Sequence, residues 1–383
     1  MDFDLTEEQR LLKESVDRLV ADRYDFESRK RFIAEPDGYS RDNWRQFAEL
    51  GLLAVPFAEE HGGIGGGAVE TMLVMEAFGR GIVVEPYLST VILGGGLLRH
   101  GGSEAQRAEL LPQVAGGETT LAFAQVERGS RYDLFDVSTT AREDGESYIL
   151  NGEKGVVLHG DSADKLLVTA RTGGSRRDRD GIGLFLVDAK APGVSRRGYP
   201  TQDGMRAAEI SLDNVRVGPD GVLGDPAGAL PVVERVVDEA IAAICAEAVG
   251  VMDQLRELTV EYMKTRKQFG VPIGSFQVLQ HRAADMVVMI EQARSMAFFA
   301  TMSSTVENAA ERSHAISAAK VQIGRSGRFV GQQAIQLHGG VGVTQEYSVG
   351  HYFKRMTMID TAFGDADHHL SRVADAGGLF KAA

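Results

Sequence analysis

Between Thr119 and about Pro226, the chain is a series of short β-rich runs with no helical segment between any two of them. Alternating apolar and polar residues bounded by turn pairs are typical of consecutive strands. Parallel strands usually need a helix between them, so this region predicts an antiparallel sheet or barrel, not a Rossmann domain. The turns are predicted at Asp144-Gly145, Asn151-Gly152 and Asp180-Gly181.

Helical patterns flank this β region on both sides. Before it, Thr6 and Gln9 predict a capping box, and further helices are predicted over Arg41–Leu50, Glu70–Phe78 and Glu104–Val114. After it, long helical periods predict a bundle over 229–263, 277–305, 309–338 and 346–361, with a short helix from about 366. The fold class is therefore α+β: an N-terminal helical domain (1–118), a central antiparallel β domain (119–226) and a C-terminal four-helix bundle (227–383).

Composition excludes several classes of protein. A net charge of −13 argues against binding to nucleic acid. The longest apolar run, near Ile241, contains Glu247 and is too short to span a bilayer, so no membrane association is expected. Cys245 is the only cysteine, which fits a reducing compartment, and the acidic N-terminus lacks the features of a signal peptide. We therefore expect a cytoplasmic protein.

Three stretches carry a resemblance to a known family: "LNGEK" (150–154), "RKQFGVPIGSFQ" (266–277) and "QLHGGVGVTQEY" (336–347). In this order, over an α–β–α chain, they resemble the acyl-CoA dehydrogenases, and the likeness covers essentially the whole sequence. The resemblance implies FAD as cofactor and an acyl-CoA thioester as substrate. The reaction it implies is α,β-desaturation, in which a base removes the α-proton and a β-hydride passes to the flavin.

The residue types in two of these stretches suit a dinucleotide. A pyrophosphate needs a cation such as Arg266, and an adenine needs an aromatic surface such as Phe269. Glycines let backbone N–H groups approach a phosphate or ribose. An alternative remains open, in which Phe269 belongs to the core and the glycines only cap a helix. The candidate cofactor-binding residues are Arg266, Gln268, Phe269, Gln277, Gln336, Gly339 and Gly340.

The resemblance also implies an assembly. In the family these groups reach across a subunit interface to the FAD of the neighbouring subunit. It follows that the chain forms a homo- or hetero-oligomer, typically a dimer of dimers. An electron-transfer flavoprotein is the implied redox partner.

The other half of the implied flavin site departs from the family pattern. Where the family has a stretch like "TEPxAGSD", this chain has "VERGSRYD", with Val126 for the Thr and Tyr132 for the Ser. The family's Trp-x-Thr tripeptide is Val156-Val157-Leu158 here, and Ile241 stands in place of an arginine. Five polar or aromatic contacts on one side of one site are missing together.

The implied catalytic base is missing as well. The family's glutamate follows an aromatic residue, and in "TAFGDADHHL" (361–370) that alignment puts Gly364 at its position, or Phe363 in an ungapped count. Neither can accept a proton, and a base must lie roughly 3 Å from the substrate α-carbon. The nearby candidates are Asp365, Asp360 and, next to Ala240 on the first long helix of the bundle, Glu239.

The same stretch was considered as a metal site. His368 and His369 are consecutive, so they diverge on a helix and do not easily ligate one ion together with Asp365. Asp365 and Asp367 at a helix start complement the helix dipole, which is the simpler interpretation. We therefore predict no metal.

Two main hypotheses follow. In the first, the chain is an autonomous acyl-CoA dehydrogenase with a relocated base such as Asp365. In the second, it is a partner subunit that lends its cofactor-binding residues to a catalytic chain. The pattern is similar to the small subunits of two-chain acyl-CoA dehydrogenases that act on dicarboxylyl thioesters, such as pimeloyl-CoA dehydrogenase, or on steroid-derived thioesters. An oxidase or monooxygenase of the same fold is a third interpretation.

Overall fold

Two sets of helices flank one β-sheet along the chain, as the sequence predicted. The computed structural model describes residues 5–377. The helices before the sheet are α1 (Glu7–Arg23), α2 (Phe26–Ile33), α3 (Arg41–Glu49), α4 (Ala68–Gly81), a π-helix (Leu88–Gly94), α5 (Gly95–Gly101) and α6 (Glu104–Ala115). Those after it are α7 (Leu230–Thr265), α8 (Gln277–Ser303), α9 (Ala309–His338), α10 (Val349–Thr361) and α11 (Ala366–Asp375). The α+β fold class is confirmed.

Local capping explains where several helices begin. At α1, the Thr6 hydroxyl accepts from the Gln9 N–H (3.2 Å) and the Gln9 side chain accepts from the Thr6 N–H (3.0 Å). Ser103 and Gln106 repeat this arrangement at α6. Each capping box satisfies two backbone N–H groups that the helix leaves without partners. The predicted capping box at Thr6 is therefore confirmed.

The central sheet contains eight strands, and most of its pairs are antiparallel. Its path is β6-β7-β3-β2-β4-β5-β8, and β1 pairs with β4 outside this path. The strands are β1 (Leu121–Ala124), β2 (Thr140–Asp144), β3 (Ser147–Leu158), β4 (Lys165–Arg171), β5 (Ile182–Asp188), β6 (Val194–Pro200), β7 (Arg206–Val217) and β8 (Val222–Leu223). β1 and the first residue of β2, Thr140, pair with β4 in parallel, so the sheet is not purely antiparallel. The crossover from β1 to β4 contains the β2–β3 hairpin instead of a helix.

The predicted turn at Asn151-Gly152 is wrong. Both residues lie inside β3, where the register with β7 shifts between Leu150 and Gly152. A Cβ at Gly152 would lie 2.5 Å from the Thr139 hydroxyl oxygen, so glycine is required by the close approach of a neighbouring segment. The residue pair therefore forms a bulge, and pairing with β7 continues beyond it.

The described residues divide into two compact units. One contains residues 5–30, Ala68–Val83 and 241–377, and the other contains Arg31–Gly67 and Val84–Ala240. The predicted domain boundaries after residues 118 and 226 stay a prediction. Within residues 5–377, no helix is both long enough and apolar enough to cross a bilayer.

Candidate functional site

A two-stranded hairpin joins α7 to α8 and carries several of the cofactor candidates. Its strands are β9 (Lys267–Gln268) and β10 (Val271–Pro272), with Phe269 and Gly270 at the turn. The Phe269 side chain is 91% exposed, and its ring lies edge-on to Phe276 with 6.1 Å between centroids. Phe269 is therefore a surface aromatic in this chain, and the alternative that it belongs to the core is wrong.

Arg266 immediately precedes this hairpin. Its N–H donates to the Tyr262 carbonyl (2.8 Å), and its carbonyl accepts from the Ile273 N–H (2.8 Å), so its backbone is fixed. Its side chain is exposed, and none of residues 5–377 forms an ion pair with it. A guanidinium without a carboxylate partner is available to an anionic ligand.

The end of α9 carries the remaining candidates. Gly339 ends the helix with φ 62° and ψ −141°, a conformation that side chains other than glycine rarely adopt. A Cβ at Gly339 or at Gly340 would meet no atom within 4 Å, so the surface above this turn is open. Gln336 is exposed one helical turn earlier.

Contacts between helices bring the hairpin and the α9 end to the same end of the bundle. The Tyr262 ring of α7 stacks on the His338 ring of α9, with 4.5 Å between centroids. On α8, Arg282 donates to the Gln333 side chain of α9 (2.8 Å). The structure therefore gathers a cation, an exposed aromatic, three glutamines and two open glycines on one exposed surface. These residues fit the pyrophosphate, adenine and ribose of FAD.

The sheet contains a second candidate surface, a cleft of about 570 Å³. Val126 and Val156 line it, at positions where the family resemblance implies Thr and Trp contacts to flavin. Val157 is buried and Leu158 offers no polar group. Arg128, Arg196 and Arg197 also line the cleft. Ser195 and Ser211 also line the cleft, but the positions of the implied Thr and Trp contacts hold valines, so on this side those residues do not fit flavin.

A buried ion pair lies at this cleft. The Lys154 ammonium donates to Glu127 Oε1 (2.6 Å), and Glu127 also accepts from the backbone N–H groups of Ser138 (2.7 Å) and Thr139 (3.0 Å). Burial alone would raise the pKa of Glu127, but Lys154 and these donors hold that pKa at about 2. Burial lowers the pKa of Lys154 to about 8, against the attraction of Glu127. The pair holds the start of "VERGSRYD" against β3.

The corner between α10 and α11 occupies the position of the expected base. Phe363 and Gly364 have φ values of 57° and 118°. A Cβ at Gly364 would lie 2.5 Å from His368 Cδ2 and 2.7 Å from His369 Nε2. Gly364 is therefore required both by its backbone conformation and by the imidazoles packed against it, and there is no room for a glutamate side chain.

The three alternative bases all have other partners. Asp365 is the N-cap of α11 and accepts from the His368 N–H (2.8 Å). Asp360 accepts from Arg328 (3.0 Å). Glu239 pairs with Arg99 (2.5 Å) and His100 (2.8 Å).

The electrostatics of Glu239 suit a structural role better than proton abstraction. Burial favours a raised pKa at Glu239, but the hydrogen bond from His100 and the charge of Arg99 lower that pKa below its usual value. A carboxylate stabilised in this way is a weaker base.

Among residues 5–377, no three His, Cys, Asp or Glu side chains are placed to hold a metal ion.

Sequence reasoning missed Lys320, which holds this corner in place. Its ammonium is fully buried and donates to the carbonyls of Asp360 (2.7 Å) and Gly364 (2.8 Å). Burial lowers the pKa of Lys320 to about 8. Lys320 occupies a helical stripe of buried residues that includes Ile316 and Ile323. A lysine at a core position of a helix was the signal that could have found it.

Comparison with known proteins places these features in context. Three family models match: "Acyl-CoA dehydrogenase, N-terminal domain" over residues 6–118, "middle domain" over 122–215 and "C-terminal domain" over 230–378. The probable acyl-CoA dehydrogenase YngJ of Bacillus subtilis is 30% identical over 386 aligned positions, which cover 100% of both chains.

Two solved structures of named pairs of chains are also similar. A variant of the Tcur3481-Tcur3483 steroid ACAD is 31% identical, with a TM-score of 0.87 over 97% of each chain. The ChsE4-ChsE5 complex from Mycobacterium tuberculosis is 26% identical, with a TM-score of 0.88 over 100% of each chain.

Proposed function

Because the chain belongs to the acyl-CoA dehydrogenase family, we propose that it is a partner subunit that lends FAD-binding residues to a catalytic chain of the same fold. Members of this family are flavin-dependent oxidoreductases that desaturate acyl-CoA thioesters, and FAD is the cofactor. When bound, FAD accepts the hydride. In this chain Arg266 would supply charge to the pyrophosphate, and Phe269 would supply an aromatic surface to the adenine.

The corner at Gly364 carries this proposal. Desaturation needs a proton acceptor beside the substrate α-carbon, and no side chain fits at Gly364, where two imidazoles lie under 3 Å from any added Cβ. Asp365 serves as a helix cap, and Asp360 is a partner of Arg328. The chain's own site therefore has no evident base.

The distribution of fitting and non-fitting residues supports the same proposal. The cofactor candidates on the hairpin and the α9 end remain exposed and unobstructed, whereas Val126 and Val156 have replaced the flavin contacts of the cleft. Random loss of function would affect the residues that serve a neighbouring subunit as much as the residues of the chain's own cleft. The similarity to two structures named as pairs of chains agrees with a two-chain assembly.

The remaining partners follow from this role. The substrate of the assembly is an acyl-CoA thioester, and the steroid ACAD among the similar structures favours a bulky, polycyclic acyl group. We propose an electron-transfer flavoprotein as electron acceptor, a dimer of dimers as the assembly, and the cytoplasm as its location.

The test measures flavin content and flavin reduction. The chain is isolated alone and, with an affinity tag in its own host, in the assembly it forms. We expect little FAD on the isolated chain and about one FAD for every two chains in the assembly. Acyl-CoA thioesters added without oxygen should bleach only the assembly's flavin. Stoichiometric FAD on the isolated chain, bleached by an acyl-CoA, would overturn the proposal.

The alternative is an autonomous dehydrogenase that uses Asp365 as its base, and one substitution separates the two. Asn also caps helices well, so Asp365→Asn should leave the turnover of the assembly nearly unchanged. If Asp365 accepts the α-proton, the same change should slow flavin reduction by about 10²-fold or more while acyl-CoA binding persists. Asp367→Asn, also in the first turn of α11, is the matched control.

A further inference from the structure

Three aromatic rings form a cluster beside the cofactor candidates. His338, the last residue of α9, lies between Tyr262 of α7 and Tyr347, which precedes α10. The His338 ring stacks on Tyr262 with 4.5 Å between centroids and an angle of 29° between planes, and it lies 5.2 Å from the Tyr347 centroid. Tyr262 and Tyr347 also meet edge-on at 6.3 Å.

His338 is held rigidly within this cluster. It is 3% exposed, and its Nδ1 lies 2.8 Å from the Ala334 carbonyl. A carbonyl only accepts, so Nδ1 carries a proton and donates to Ala334. Burial lowers the pKa of His338 below its usual value, against the backbone carbonyls near the ring.

His338 contacts the two segments that carry the cofactor candidates, one through Tyr262 and one through the chain that follows it. The Tyr262 carbonyl accepts from the Arg266 N–H (2.8 Å), which fixes the residue that starts the hairpin. His338 itself is followed by Gly339 and Gly340. A Cβ at Gly342 would lie 3.0 Å from His338 Cβ, so the turn after α9 packs closely against the same residue.

We propose that His338 is a positioning residue that fixes the Arg266 hairpin and the Gly339-Gly340 turn relative to each other, and so organises the surface lent to FAD. This rests on the proposed function. The two segments are more than sixty residues apart in sequence, and each is exposed, so neither is held by burial of its own side chains. The ring stack on Tyr262 is a direct contact between the helices from which they extend. An aromatic ring at position 338, not its nitrogen atoms, supplies this contact.

The test compares His338→Leu with His338→Phe in the assembled flavoprotein. Leu removes the stacked ring, and Phe keeps a ring of similar size without the hydrogen bond to Ala334. The flavin is removed, and the dissociation constant for added FAD is measured by flavin fluorescence. We expect about tenfold weaker binding for His338→Leu, from the loss of two aromatic contacts, and a change of no more than about twofold for His338→Phe.

A second readout does not depend on FAD. In the flavin-free protein, amide hydrogen exchange across the hairpin (266–270) and the turn (339–342) should accelerate together in His338→Leu and remain close to the unchanged protein in His338→Phe. Amide exchange at the start of α1, which is distant in sequence from both segments, serves as the reference for general destabilisation. Acceleration of all three segments to the same degree would overturn the inference.

Arg266→Ala separates failure of this inference from failure of the proposed function. If Arg266→Ala weakens FAD binding but His338→Leu does not, the inference is overturned and the proposed function stands. If Arg266→Ala leaves FAD binding unchanged, the proposed function is overturned. The exchange measurement then decides alone whether His338 positions the two segments.

Discussion

At the scale of single residues, Gly364 is where the geometry departs most clearly from what an active site needs. Its φ of 118° is strained for any other residue, and an added Cβ would lie 2.5 Å from His368 Cδ2. We expect Gly364→Ala to lower the free energy of unfolding by more than the roughly 1–3 kcal/mol of backbone strain, because it adds a clash. Urea denaturation measures this.

Gly145 supplies the control for that prediction. It also has a positive φ, 67°, but a Cβ there would meet no atom within 4 Å. Gly145→Ala should therefore lower the free energy of unfolding by the backbone strain alone, without a clash. Equal losses in the two variants would mean that His368 and His369 yield to an added side chain, and that the corner has room for a base.

Glu85 makes a second prediction at this scale. It is almost fully buried, and the backbone N–H groups close to its carboxylate, such as that of Ser40, do not reach full hydrogen-bonding geometry. Burial raises its pKa from 4.5 to about 8, although nearby backbone N–H groups oppose this. Because the pKa of Glu85 is raised in the folded state, the contribution of Glu85 to the free energy of unfolding is complete below about pH 4.5. That contribution is lost as the pH rises to about 8.

Glu85→Gln should remove this pH dependence, because the amide does not ionise. Within that window the unfolding free energy of the unchanged protein should fall by about 1.4 kcal/mol per pH unit more than that of the variant. Urea denaturation at several pH values measures the difference. Glu60→Gln, at an exposed site, is the control, and parallel pH profiles for Glu85→Gln and the unchanged protein would contradict the prediction.

At the scale of elements, the Lys154–Glu127 pair ties β3 to the segment that follows β1. Both side chains are buried, so removing one leaves an uncompensated charge. We expect Lys154→Met to cost about 3–5 kcal/mol in the free energy of unfolding. The double variant Lys154→Met with Glu127→Gln should recover part of that loss. Denaturation of both single variants and the double variant completes the cycle, and additive losses would count against the pairing.

At the scale of the whole molecule, α8 exposes an apolar surface that a single chain leaves uncovered. Its exposed members are Val278, Val287, Val288, Phe299 and Met302. Five large apolar side chains along one helix are unusual for a monomer. We expect Val288→Asp combined with Phe299→Asp to dissociate the assembly, with light scattering after size exclusion reporting its mass.

Leu11→Asp is the matched control for that experiment. Leu11 is an exposed apolar residue of α1, so its replacement introduces one of the two negative charges, on a different helix. The mass of the assembly should not change in this variant. An unchanged mass in the α8 double variant as well would mean that another surface holds the chains together.

The sequence by itself determined the order of the helical and β regions and the extent of the long helices. The bundle helices were predicted within about three residues of their observed ends, because helical periodicity and capping residues are local signals. It also predicted that the position of the expected base holds Gly364 or Phe363, neither of which can accept a proton. β6 has no strand pattern of its own, since it includes Gly198 and Pro200, and it forms only because β7 lies beside it.

Only the tertiary structure decided the details of the site. The sequence could not say that Asn151-Gly152 is a bulge, because that depends on Thr139 and β7 from elsewhere in the chain. The pattern of α9 could indicate that Lys320 is buried, but not that it lies beneath the corner at Gly364, and the sequence could not decide whether Phe269 is exposed. Burial, register and close approach are properties of residues distant in sequence that meet in space, whereas periodicity and capping are properties of neighbours along the chain.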